Sequence, residues 1–417
     1  MKKYLKETAK YTLRIYPVIR KYIKEIDALY NMSAKELYGR NEQQFIEIFR
    51  KAYNDSSFYH KLYSDAGIAI DDIKCLDDIK KLPILTKDMV KEHGEEMLTV
   101  SKKKLIANHS SGTTGTPLTV WESWNSIWRE QAYLYCYRKR CGFTYGQPLV
   151  SLRGNLDRKE TYMKVHISNT LFLSSYNINT KTIKLYYDKI ITHKPVAIEG
   201  YPSSLYSLAM MMNESGLQVN IPVAFTSSET LLDYQRDLIE EVLGTHIYDH
   251  YGMTERCIML LESKNHNGYY EAPGYSINEY REDGEICTSL INKAFPLIRY
   301  KCNDVIEQSN GQIYGIRGRI AECIIGKDGS RYSGAALTYF VKGIPNILGL
   351  QLVQKEKGKM SVHVIPDQGF DMSGETVKAV VNNQIGLDNI DYDWKVIDPN
   401  ELIYSKSGKL SLIYTTI

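Results

Sequence analysis

Apolar and polar positions along this chain alternate between two periods, and the switches mark its elements. In "KPVAIEGYPSSLYSLAMMMNESG" (194–216) the run Val196–Ile198 reads as a buried strand. A turn at Gly200 follows, and Pro202 stands where a helix would start. Leu205, Leu208, Ala209 and Met212 then recur at helical spacing, and Gly216 closes the helix. The Met210–Met212 cluster reads as core filling. "IPVAFTSSETLLDYQRDLIEEVLG" repeats the plan of strand, polar turn, amphipathic helix and glycine. "THIYDHYGMTE" adds another strand ending in a polar turn. Such units predict an α/β sheet with ligand groups at the carboxyl ends of its strands.

The flanks read differently. Residues 1–100 are mainly helical in pattern, and "LPILTKDMV" predicts a helix starting at Thr86 or Lys87. After residue 275, "GEICTSLI", "FPLIRYKCNDVIE" and "GQIYGIRG" are hairpin-like. From about 320 the chain reads as a small α+β unit, with a glycine-bounded helix candidate, "SGETVKAVVNNQIG". It ends in "IYSKSGKLSLIYTTI", a lysine-bearing turn between two β-prone runs.

Composition narrows the function classes. A length of 417 residues favours two domains, or one large and one small. With 43% hydrophobic and 24% charged residues the chain is of ordinary globular type, and a net charge of +3 gives no case for nucleic acid. No apolar run has the length of a membrane span, and the N-terminus lacks the apolar core of a signal peptide. Seven scattered cysteines argue against a disulfide framework and for a reducing cytoplasm. The basic first two dozen residues, with Tyr4, Tyr11, Leu13, Ile15 and Tyr16 among the lysines, suit a helix packed on the domain with a solvated basic face. Peripheral membrane association through that helix is the alternative.

The densest chemistry is "NHSSGTTGTPLTVW" (108–121). Glycines bring backbone N–H groups close to a ligand, and hydroxyls add rotatable donors. Together they could cradle phosphate oxygens. The lysine of a Walker A loop is absent, and the stretch is equally consistent with a Ser/Thr/Gly surface turn.

Six further polar turns follow in order: "GYPSSL" at 200–205, "TSSE" at 226–229, "YGMTE" at 251–255, "IRYKCND" at 298–304, "GRIAE" at 318–322 and "SGKL" at 407–410. In this order and spacing the sequence resembles the adenylate-forming superfamily of acyl-CoA synthetases and adenylation domains. Within it, the match is to the phenylacetate–CoA ligase-like branch that includes capsular-polysaccharide CapK-type proteins. "SSFYHKLYSDAGI" and "KLPILTKDMV" resemble that branch's N-terminal pattern. The resemblance implies an α/β fold. A large N-terminal adenylate-forming domain would span 1–318, and a small mobile α+β C-terminal lid 319–417.

The resemblance also implies site residues. Ser110, Ser111, Gly112, Thr113, Thr114 and Gly115 would hold the triphosphate of ATP. Tyr251, beside Gly252, would face adenine, with Ser227, Ser228 and Glu229 nearby. Thr254 would bond the α-phosphate, and Glu255 would bind Mg²⁺ as a hard oxygen donor. Asp304 would take the ribose, Arg319 ribose or phosphate. Lys409 would be the mobile catalytic lysine, a point charge between the attacking carboxylate and the α-phosphate. His109, Tyr201 and His250 are candidates for the acyl or acceptor pocket. Each also has a plain reading: Asp304 as a turn cap, Arg319 as a surface ion pair, Lys409 as a solvated lysine, the histidines as structural.

Three departures bear on the acceptor. The family's "RTGD" reads Lys301-Cys302-Asn303-Asp304 here, and the hinge acid is Ala321. "CIIGKDGSRYSG" lacks the pattern of CoA-forming members and is similar to capsular-type relatives. The implied activity is therefore ATP-dependent activation of a carboxylic acid as acyl-AMP, with transfer to an amine or hydroxyl in surface polysaccharide biosynthesis, the acceptor being a sugar or amine. An acyl- or aryl-CoA ligase is the alternative, so CoA stays open. A non-catalytic nucleotide-binding scaffold is the rival from another class. Some relatives carry structural zinc near "YGxTE". Cys257, His266, Cys287 and Cys302 lack metal-ligand spacing and read as buried free cysteines and a structural histidine.

Overall fold

The computed structural model describes residues 2–15, 17–109, 118–152, 156, 160–281, 283–302, 304–317, 323–333, 337, 343–403 and 412–417. The first hundred residues are mainly helical: α1 (Lys2–Ile15), α2 (Pro17–Leu29), α3 (Ala34–Asp55), α4 (Ser57–Asp65) and α5 (Lys87–His93). Ser33 and Glu36 form a reciprocal capping box at the start of α3. Thr86 caps α5 by accepting the Met89 N–H, as its place in the sequence predicts. One stripe of α3, Phe45, Ile48, Phe49 and Ala52, is fully buried at helical spacing. It packs on Tyr59 and Tyr63 of α4 and on the distant segment Phe295–Tyr300. The Tyr59 hydroxyl donates to the Pro296 carbonyl at 2.6 Å, fixing this long-range contact.

A hairpin of β1 (Ile106–His109) and β2 (Thr119–Glu122) leads into α6 (Trp124–Arg140). Then come β3 (Leu149–Leu152), β4 (Tyr162–Val165), β5 (Thr170–Leu173), α7 (Ile183–His193), β6 (Ala197–Gly200), α8 (Pro202–Glu214), β7 (Val223–Ser227), α9 (Asp233–Leu243) and β8 (His246–Gly252). The chain returns through β9 (Met259–Glu262), β10 (Tyr269–Glu271), β11 (Ser276–Glu279), β12 (Ile286–Ser289), β13 (Tyr300–Lys301), β14 (Val305–Ser309) and β15 (Gln312–Arg317). The principal sheet has the order β14-β15-β10-β9-β8-β7-β6-β3-β5-β4. Its centre, β5, β3, β6, β7 and β8, is parallel, which requires cover on both faces. On one face Val150, Leu152, Ile198, Ala224 and Ile247 pack against α7, α8 and α9. On the other, Leu149, Ala197, Val223 and Phe225 lie under α6, with α2 outside it. The turn expected at Gly200 falls one residue later, because Gly200 still pairs with Thr226 and Tyr201 is the N-cap of α8.

The parallel strands end together at Leu152, Gly200, Ser227 and His250, which places the "GYPSSL", "TSSE" and "YGMTE" turns along one edge. Beyond them come a short pair, β16 (Cys323–Ile325) and β17 (Arg331–Ser333), and a separate four-stranded sheet. It is formed by β18 (Ile347–Glu356), β19 (Lys359–Pro366), β20 (Asp391–Val396) and β21 (Ile413–Thr415), with α10 (Glu375–Gln384). Leu352, Val362, Val364, Val377 and Val381 fill its own core. This unit touches α8 and α9 through the Tyr206 hydroxyl, which donates to the Leu348 carbonyl, and through Tyr234, edge-on to Tyr206.

Candidate active site

The "YGMTE" and "IRYKCND" segments meet at the edge of the principal sheet. Tyr251, near the end of β8, donates its hydroxyl to the Asp304 carboxylate at 2.5 Å. Burial first, and that carboxylate second, push the Tyr251 hydroxyl well above its ordinary range. Glu255 is nearly buried, and its carboxylate accepts one long bond, 3.4 Å, from the Tyr300 hydroxyl. Thr254 and Gly252 lie between them, and Gly252 pairs with Met259 across β9.

The "TSSE" turn stands beside this pair. Ser227 on β7 is in register with His250 on β8. Ser228 takes a left-handed backbone, φ 73°. Glu229 accepts the Ser203 N–H at 3.0 Å, tying the turn to the start of α8. Beneath the turn, Asp249 accepts from Thr226 at 2.6 Å and from Tyr269 at 2.8 Å. Burial raises the Asp249 carboxyl, against those two bonds. Its backbone N–H donates to Glu262, which Arg236 also holds, each at 2.7 Å. The strand ends carrying the candidate groups are thus fixed from below.

Two more non-glycine residues with positive φ flank the site, Arg256 at 54° and Arg299 at 51°. Each is held by its own side chain. Arg256 pairs with Glu122 at 2.8 Å, and Arg299 grips Glu279 at 2.7 Å and the Leu82 carbonyl at 2.6 Å. Backbone strain of this kind gathers at functional sites, where the surroundings can hold it.

The fold therefore gathers Ser227, Ser228, Glu229, His250, Tyr251, Gly252, Thr254, Glu255 and Asp304 on one edge. The His250 ring lies edge-on to Tyr137 of α6, 6.4 Å between centroids. Tyr201 lines a cavity behind the same edge. His109 is exposed at the end of β1, 3.2 Å from the Thr119 hydroxyl, with no contact to the other candidates among the described residues. Ser110, Ser111, Gly112, Thr113, Thr114, Gly115, Arg319, Ala321 and Lys409 lie outside the described residues.

Three of the zinc candidates, Cys257, Cys287 and Cys302, are buried in one core, where the Cys287 thiol donates to the Tyr300 carbonyl at 3.5 Å. His266 is elsewhere, against Glu262 and Tyr248. No cluster of metal-holding groups occurs among the described residues.

The order of motifs did not reveal Tyr300, the Asp249 network or the buried pair Arg138–Glu199 (2.6 Å). A signal for the last existed: Glu199 is a lone acid inside the apolar strand "VAIEG".

No family model matches the sequence. Protein CapK of Staphylococcus aureus is 23% identical, over 84% of this chain and 82% of its own length. The phenylacetate-coenzyme A ligase of Pseudomonas putida is 25% identical, over 61% of this chain and 63% of its own. These likenesses support a place in the adenylate-forming superfamily, near its phenylacetate–CoA ligase-like branch. The fold agrees: 2-hydroxyisobutyryl-CoA ligase in its postadenylation state superposes with a TM-score of 0.70, at 16% identity, over 92% of this chain and 90% of that one. The α/β sheet expected for an adenylate-forming ligase is thus present, with its motif turns at the carboxyl edge. Among the described residues no helix is long and apolar enough to cross a membrane.

Proposed function

We propose that the protein is an ATP- and Mg²⁺-dependent ligase. It activates a carboxylic acid as acyl-AMP, releases pyrophosphate, and passes the acyl group to an amine or hydroxyl acceptor. The observation that carries this reading is the Tyr251–Asp304 contact, with Glu255 four residues beyond Tyr251 on the same strand end. An aromatic face, a two-oxygen ribose acceptor and a hard cation ligand then share one edge.

The chemistry needs this grouping. A carboxylate attacking the α-phosphate brings two anions together, so the site must offset charge and align the attack. Tyr251 offers adenine a flat face, and Asp304 suits two adjacent ribose hydroxyls. Thr254, three residues beyond Tyr251, would donate to the α-phosphate. Glu255 fits Mg²⁺, because among the described residues its carboxylate has only one long protein bond and keeps lone pairs for a hard cation. Bound there, Mg²⁺ would offset phosphate charge. The 110–115 loop, Arg319 and Lys409 complete the proposal: the loop holds the outgoing pyrophosphate, Arg319 the nucleotide, and Lys409 the transition-state charge. Lys409→Ala is expected to cut acyl-AMP formation by about 10²–10³-fold while ATP binding survives. Formation within a few-fold of wild type, measured by single-turnover acyl-AMP assay, would sink that role.

Similarity to CapK and the altered "CIIGKDGSRYSG" segment support an acceptor in cytoplasmic surface-polysaccharide assembly. Similarity to the phenylacetate-coenzyme A ligases supports a second reading, with CoA as acceptor. Pyrophosphate release, screened over amino, uronic, aromatic and short fatty acids with and without CoA and amines, tests both. Release with no acid would end the ligase reading; a thioester product would select the second.

A further inference from the structure

Behind the carboxyl edge lies a cavity of about 270 Å³ between α1, α6 and the sheet face at β3, β5 and β6. At ~30 Å³ per water it has room for about nine waters, or a molecule of similar heavy-atom count. Its floor is a buried ion pair: Arg138 of α6 donates to Glu199 of β6 at 2.6 Å, and Ser151 donates to the same carboxylate at 2.9 Å. The Arg138 guanidinium also lies over the Phe225 ring, 4.9 Å from its centroid. Its side chain is 5% exposed, yet only one nitrogen has a hydrogen-bond partner among the described residues. A guanidinium carries five N–H donors, so several remain for a ligand. The hydroxyls of Ser168 and Thr170 line the wall. Both donate to backbone carbonyls, which leaves their acceptor lone pairs available. Tyr11 of α1 covers the mouth, its hydroxyl unbonded among the described residues and close over Gly146.

The other end of the cavity reaches Tyr201. That residue caps α8, and two residues later Ser203 bonds the Glu229 carboxylate of the "TSSE" turn. The cavity therefore opens toward the edge where activation is proposed. Its lining is ill-suited to an alkyl or aryl tail, which would strand the Arg138 donors without partners or water. Arg138 and Glu199 offset each other, and Glu7 of α1 adds a further carboxylate to the lining, so an anionic tail is disfavoured. Hydroxyl groups, which donate and accept, fit what remains.

We propose that this cavity holds the tail of the acid substrate, and that the tail is small, uncharged and hydroxyl-bearing, as in a hydroxy acid or sugar acid. Arg138 and Glu199 set this specificity, and Tyr11 on the first helix closes over the bound tail. The proposal rests on the ligase reading. The test is ATP–pyrophosphate exchange with pairs of acids of equal carbon number, hydroxylated and deoxy. Wild type should favour the hydroxylated member by at least about ten-fold in kcat/KM. Tyr11→Phe, a surface-helix change that keeps the ring, should raise KM for the hydroxylated acid about five-fold and leave KM for ATP unchanged. Arg138→Met with Glu199→Gln removes both charges together and should collapse the preference. Exchange that runs equally well with deoxy or aryl acids, or an acid KM indifferent to Tyr11→Phe, overturns the pocket assignment and leaves the ligase standing. Exchange with no acid at all overturns both.

Discussion

The two faces of the principal sheet are built on different terms. Under α7, α8 and α9, the facing residues along the middle of the strands are hydrocarbon: Val150, Leu152, Ile198, Ala224 and Ile247 against Leu205, Leu208 and Met212. Under α6 the same strands present Ser151 and Glu199 to Arg138, and a cavity remains beside them. The first face can be filled by any well-packed apolar set. The second face keeps buried charges, and replacing such a pair with packed hydrocarbon often costs nothing or even stabilises. A polar interior beside an open volume is therefore better explained by what it admits than by what it holds together.

Breaking one charge on the polar face should have the largest effect. Arg138→Ala leaves Glu199 buried without its cation and should cost about 3–5 kcal/mol, read by urea unfolding. The double change Arg138→Met with Glu199→Gln should recover most of that loss; equal destabilisation by both would erase the distinction between the faces. On the apolar face, Leu208→Ala should cost about 2–5 kcal/mol by opening a cavity at a fully buried site. There the acid-to-acid selectivity of the folded fraction should not change, and altered selectivity would show that this face also reads substrate.

Much of this was legible beforehand, and the reasons differ by element. The β6–α8 and β7–α9 units announced themselves because strand period, Pro202, Gly216 and Gly244 all agreed locally. The candidate site residues were named from motif order. The Tyr251–Asp304 contact joins residues 53 apart, and no local period encodes it. Nor does sequence spacing show that Arg138 and Glu199, 61 apart, meet under a helix. Cys257, Cys287 and Cys302 illustrate the same limit: irregular in sequence, together in one core.

Smaller effects should come from the nucleotide edge. Tyr251→Phe keeps the ring but releases Asp304, and should raise KM for ATP about five-fold, for the loss of a hydrogen bond worth ~1 kcal/mol. An unchanged value in steady-state kinetics would show that Asp304 needs no such anchor. A signal of another kind is a pH slope. Glu285 is fully buried, with neither carboxylate oxygen hydrogen-bonded among the described residues, and burial raises its pKa from 4.5 to about 9. The folded state thus holds a proton that the unfolded chain has released, so stability falls as pH rises between about 4.5 and 9. Glu285→Gln should flatten that decline, raising Tm at pH 8 relative to wild type with little change at pH 4. A parallel pair of Tm–pH curves would show Glu285 ionised in the fold.

The Tyr59 hydroxyl on the Pro296 carbonyl spans 237 residues of chain. Beside it, Leu85 donates its N–H to the Arg299 carbonyl and accepts the Lys301 N–H, each at 2.9 Å, and α3 shares its core with Phe295, Leu297 and Tyr300. The helices made first on the ribosome therefore wait for a segment made some two hundred residues later. At about 5–20 residues per second that wait is on the order of ten to forty seconds. Throughout it, Phe45, Ile48 and Phe49 have no final partner. Loop closure over such a distance is slow, and exposed aromatic helices invite association. Nascent chains halted before residue 295 should accordingly bind a holdase chaperone through α3 and release it once Tyr300 has emerged.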